Sequence, residues 1–258
     1  MKRKIICLLL VLLVVISNMN FAFADSQQST QDRALTILNS IDDTQKKDMI
    51  MDIFSLCYMS FTTAPPTNDV TAQEQDIIKE LERLSQMSSA ELEDFITREI
   101  AETIKIVKET PNTFFTDSAY KVLEKYNFTN DIEVLKKTNI MEIPIDKSVM
   151  AVIPDRDYTK TAYGTCNYPL FGVIGGMDVK VKWSVRNEVI TTFSRSVTGY
   201  GSNYAEYGGH QLNSSGIYNA GQRANINVTG YFYLTLLPIV SSITADIWFY
   251  NDGGLDIL

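Results

Sequence analysis

The hydrophobic period of this 258-residue chain changes once, at Ile143-Pro144-Ile145-Asp146, and that change limits the available folds more than any motif does. Before the join, apolar residues recur at helical spacing; after it they alternate at the two-residue spacing of strands. A proline bars helix continuation and draws the preceding residue into extended geometry, so the join falls there. The expectation is an α+β protein: a helical bundle over 25–145, then an antiparallel β-sandwich-like domain over 146–258.

In the first part, Met49, Ile50, Ile53, Phe54 and Cys57 form the apolar face of a helix that ends before Pro65-Pro66. Thr71-Ala72-Gln73-Glu74 fits a capping box opening a second helix that buries Ile77, Ile78, Leu81 and Leu84. A third begins at the box Ser88-Ser89-Ala90-Glu91 and carries Leu92, Phe95, Ile96, Ile100, Ile104 and Val107 inward until Pro111. Its opposite face alternates Asp94, Arg98, Glu102, Lys105 and Glu109, which reads as ion pairing along a solvated surface rather than as catalytic carboxylates. Shorter helices follow over about 117–126 and 130–137.

Beyond the join, Val179, Val181, Trp183 and Val185 alternate with Lys180, Lys182, Ser184 and Arg186, giving one apolar and one basic face. Asn187-Glu188 predicts a turn into a strand over 189–197. Alternation returns at Ala224, Ile226 and Val228 and again at Ile243, Ala245, Ile247 and Phe249; between them, Pro238 turns one buried strand into the next. Cys57 on its helix and Cys166 on its strand each read as a small buried residue in a separate core. An oxidising destination permits a bond between them, but burial in two cores argues against the close approach that it needs.

The N-terminus has the form of an export signal: Lys2-Arg3-Lys4, an apolar run from Ile5 to Ile16, and Ala22-Phe23-Ala24 before Asp25. The run is shorter than the roughly 20 residues that span a bilayer. Cleavage after Ala24 leaves 20 Lys and Arg against 31 Asp and Glu, a net charge near −11, of which 25–145 holds nearly all. Nucleic acid is not an expected partner, because phosphate neutralisation needs clustered basic residues.

Candidate contact residues lie in two places. Lys180, Lys182 and Arg186 share one strand face over about 20 Å, suited to an anionic wall polymer or lipid head groups. Tyr200, Tyr204, Tyr207, His210 and Tyr218 stand in a glycine-rich stretch over 198–221, where tyrosine rings suit sugar stacking or a membrane interface. The same composition serves a long hairpin with half-buried tyrosines. His210 is the only histidine, so a multi-histidine metal site is impossible. No cofactor, metal or catalytic residue is assigned. For a two-carboxylate hydrolase, the candidates in the β-half are Glu206, in the glycine- and tyrosine-rich stretch, and Asp246, on the polar side of a strand.

The strand over Val179 to Val185 and the segment Gly221-Gln-Arg-Ala-Asn-Ile-Asn-Val-Thr-Gly230 resemble uncharacterised secreted proteins of Gram-positive bacteria, in which a leader and a helical segment precede a β-domain. The resemblance implies an extracellular destination and carries no functional residue with it. The expected function is binding, without catalysis, at the cell envelope or extracellular surface, to a wall polymer, carbohydrate or membrane surface. The alternative is a secreted toxin or bacteriocin-like protein whose β-domain reaches a target membrane. Whether 25–145 is a lasting domain or a removable pro-segment is left open.

Overall fold

The computed structural model describes residues 30–66, 74–138, 153–202 and 205–258. The leader, the Thr71–Gln73 part of the second capping box, the join at 143–146 and Tyr204 lie outside the described residues. The chain is a mixed α+β structure with two antiparallel sheets. Its helices are α1 (through 30–39), α2 (Thr44–Ser55), α3 (Glu74–Gln86), α4 (Ser89–Glu109), α5 (Asp117–Lys125) and α6 (Thr129–Thr138). Strands β1 (Tyr58–Thr62) and β2 (Thr113–Phe115) fall between helices. The remainder are β3 (Arg156–Tyr168), β4 (Gly172–Arg186), β5 (Val189–Tyr200), β6 (Ala205–Tyr218), β7 (Arg223–Leu234), β8 (Ile239–Tyr250) and β9 (Leu255–Ile257).

Most helices follow the apolar spacing. The Ser88 and Glu91 capping box of α4 forms, with Ser88 accepting from the Glu91 N–H and Glu91 accepting from the Ser88 N–H. All six residues of the α4 stripe are buried, as are Ile77, Ile78, Leu81 and Leu84 of α3. One part of the pattern misleads. Asp43 caps α2, which ends at Ser55, so Cys57 is not on that helix. The next five residues form β1, whose alternation is hidden because Met49 to Phe54 and Cys57 together mimic one helical stripe.

That strand changes how the chain is put together. The first sheet runs β2-β1-β3-β4-β5 and the second β6-β7-β8-β9. Within the first, Tyr58 to Thr62 pairs with Tyr163 to Asn167 of β3, so hydrogen bonding crosses the join. A single buried apolar cluster takes in Phe54, Met59, Leu81 and Ile100 from one side and Cys166, Val181, Ile226 and Phe249 from the other. Phe54 of α2 stacks on Phe171 at 5.5 Å, and Phe61 and Met59 press against Gly164, where no side chain would fit.

Inner faces of the two sheets meet through aromatic residues. The Trp183 ring lies 5.2 Å from both Tyr158 and Phe249, and its Nε1–H donates to the Tyr250 carbonyl at 2.9 Å. The predicted turn at Asn187-Glu188 forms, both residues having positive φ, the backbone of a tight two-residue hairpin. Beyond β6, Gly221 has φ +91° and sits against Val189, a position that only glycine fills without strain.

Candidate functional site

Lys180 and Lys182 project from the outer face of the first sheet, and both are exposed. Cross-strand register sets Lys182 between Thr159 and Ser194, and Lys180 between Thr161 and Ser196. The result is a patch of two ammonium groups with hydroxyl-bearing residues on either side. Neither lysine has an ion-pair partner among the described residues. Arg186 differs, since its guanidinium bonds Asp157 at 2.7 Å. A hydrogen bond from Ser184, then Arg186, holds the Asp157 carboxyl below the usual carboxylate range.

Among its described residues the glycine- and tyrosine-rich stretch is mostly strand, and Tyr200, Tyr207 and Tyr218 do not converge. Tyr200 closes β5 with its hydroxyl over Gly176. Tyr207 covers Gly199 and packs 5.5 Å from Phe232, and its hydroxyl shares a 3.1 Å hydrogen bond with His210 Nδ1. Tyr218, at the far end of β6, lies 5.5 Å from Trp248, whose other neighbour is the Arg223 guanidinium at 4.7 Å. Trp248 is an aromatic contact that periodicity reads only as a polar-face residue. Glu206 and Asp246 are also kept apart. The Glu206 row reaches β8 at Val240, six residues or about 20 Å from Asp246, well beyond the roughly 5–9.5 Å that paired catalytic carboxylates require. Asp246 instead accepts from Asn225 and from Trp248 Nε1.

A further site has no signal in the linear sequence. A cleft of about 350 Å³ opens where α2, α5 and β8 meet, with Asp52, Asp117, Lys121, Lys125, Ser118 and Ser242 around it. Its charges are largely matched in place: Lys125 contacts Asp52, Tyr126 donates to Asp52 at 3.1 Å, and Ser242 donates to Asp117 at 2.6 Å. Burial, then the Asp52 charge, pushes the Tyr126 phenol above its usual range.

Ser118 lines this cleft and connects it to the interior through hydrogen bonds. Its hydroxyl bonds Ser241 at 3.0 Å and Thr116 at 2.9 Å, and these two in turn reach the Cys57 thiol at 3.2 and 3.1 Å. Thr116, the N-cap of α5, also donates its backbone N–H to the Cys57 carbonyl. Burial raises the Cys57 thiol, but hydrogen bonds with Cys166, Ser241, Thr116 and Tyr168 outweigh it and bring it down to about 7. Cys166 moves the other way, raised by its hydrogen bond with Cys57 and by burial. The expectation of two separate cores is therefore overturned: both cysteines are free thiols, fully buried side by side.

Among the described residues there is no group of three or more His, Cys, Asp or Glu placed to hold a metal, and no helix long and apolar enough to cross a membrane. Comparison with protein-family models, with curated proteins and with solved structures finds no match for this chain.

Proposed function

We propose that the chain is a secreted binding protein that acts without catalysis at the cell envelope or extracellular surface, taking an anionic wall polymer as its partner. The observation that carries this is the outer face of β3, β4 and β5, where Lys180 and Lys182 stand exposed within rows of Thr and Ser hydroxyls. A strand places alternate residues about 6.6 Å apart on one face, so a polymer with repeating anionic groups meets several donors at once and gains from multivalency. Secretion rests on the charged, apolar and small-residue regions of 1–24. The two facing sheets are read as a β-sandwich, with the helical segments as a supporting layer supplied by the first half of the chain.

Cosedimentation with purified cell-wall material tests the function. Two exposed charge contacts of about 0.5–1 kcal/mol each predict that K180Q/K182Q weakens binding by roughly 5- to 30-fold, and that salt weakens the wild type similarly. Equal binding by the variant refutes the assignment of this face. Leakage of dye from anionic vesicles, without wall binding, would put the membrane-directed toxin in its place.

A further inference from the structure

We propose that Cys57 and Cys166 are a disulfide pair, closed in the oxidised protein to fasten the first half of the chain covalently to β3. Three observations support it independently of any ligand for the lysine face.

The first is register. Met59 pairs directly with Cys166, and Tyr58 with Asn167, so Cys57 stands opposite Tyr168 and diagonal to Cys166 on the same face. Both cysteines are 0% exposed. The pairing of β3 with β4 slips between Cys166 and Asn167, an irregularity of the kind that re-aims a side chain. The second is chemistry. Thiol–disulfide exchange needs one thiol that ionises readily and a second that resolves the mixed disulfide. Here the two neighbours are split in that sense, Cys57 held near neutral pH by four hydrogen-bonding partners and Cys166 raised. The third is a route. The hydrogen-bonded path from Cys57 through Ser241 to Ser118 ends at the cleft between α2, α5 and β8, an opening toward solvent on the Cys57 side of the pair.

The step balances with an external disulfide as oxidant. The Cys57 thiolate attacks one sulfur of that disulfide and releases one thiol. Cys166 then gives up its proton and attacks Cys57 Sγ, expelling the second thiol. Two protein thiols become one disulfide, and the oxidant is reduced by two electrons to two thiols.

The test is peptide mapping of the full-length protein without reduction, after equilibration in a buffer of oxidised and reduced glutathione. The expected product links the tryptic peptide 48–79 to the peptide 161–180. The C166S variant is expected to stop at a glutathione adduct on Cys57, and C57S to leave Cys166 unmodified. Oxidation should also raise the urea midpoint of the wild type and leave that of C57A/C166A unmoved. Two free thiols in protein that retains its native circular dichroism, or a bond from either residue to Cys7, would overturn the proposal. An equal midpoint shift in the double variant would overturn it as well. Loss of wall binding by K180Q/K182Q bears on none of these outcomes.

Discussion

Expressing residues 146–258 alone should give a chain that does not fold cooperatively. Removing 1–145 takes β1 away from Tyr163 to Asn167 and leaves that stretch of β3 as an open edge. It also uncovers Phe171, which stacks on Phe54, together with Cys166 and Tyr168, which lie against Met59 and Cys57. Exposing the buried Cys166 and Tyr168 and the half-buried Phe171 costs about 1–3 kcal/mol each, or roughly 3–9 kcal/mol together. Lost ladder hydrogen bonds add about 1 kcal/mol apiece. A domain has only about 5–15 kcal/mol to lose. The assay is urea unfolding followed both by far-ultraviolet circular dichroism and by tryptophan fluorescence, Trp183 and Trp248 both lying in the fragment. The full chain should show one coincident transition, and the fragment a sloping, non-cooperative signal. A sharp transition in the fragment at the midpoint of the full chain would refute the shared-core argument and make 25–145 dispensable after folding.

Other substitutions probe separate contacts. Trp183→Phe removes the donor to the Tyr250 carbonyl and should cost about 1–3 kcal/mol, read as a lower urea midpoint at unchanged slope. Gly164→Ala brings a methyl within 2.5 Å of the Phe61 ring and 2.8 Å of the Met177 carbonyl, and should destabilise by about 1–3 kcal/mol, whereas a neutral result would mean that β1 packs less closely. Asp178 has one buried carboxylate oxygen without a hydrogen-bond partner among the described residues, and burial pushes its pKa above the ordinary carboxylate value. A raised carboxyl destabilises the folded state above its folded pKa, and the penalty is lost as pH falls below the unfolded value near 3.9. Asp178→Asn should therefore be more stable than the wild type at pH 7, with the difference closing toward pH 4; a gap that stays constant with pH would show that ionisation is not its cause.

Local rules found the elements that announce themselves locally. Ser88 to Val107 carries its own cap, stripe and stop, and Val179 to Val185 its own alternation, so α4 and β4 were legible without any partner. Asn187-Glu188 and Pro238 marked their turns for the same reason. The strand β1 was not legible: five alternating residues directly after a helix fit the helical period as well as their own, and β3, which settles the matter, lies about a hundred residues away. The contact residues divide along the same line. That Lys180, Lys182 and Arg186 share a face follows from the two-residue period alone, but that Asp157 occupies Arg186 and leaves the lysines open depends on the neighbouring strand. The scatter of Tyr200, Tyr207 and Tyr218 depends on which sheet each strand joined, a choice that composition does not record.

By itself, then, the sequence determined the secondary structure wherever burial has a short period, the export signal expected at the N-terminus, and the sign and face of the exposed charges. Only the tertiary structure decided that helices and sheets share one core, that Cys57 and Cys166 meet, and that a polar path runs from them to a cleft. The physical reason is range. Periodicity reports which side of an element avoids water within a few residues, whereas the partner across the core is chosen by packing among segments far apart in the chain.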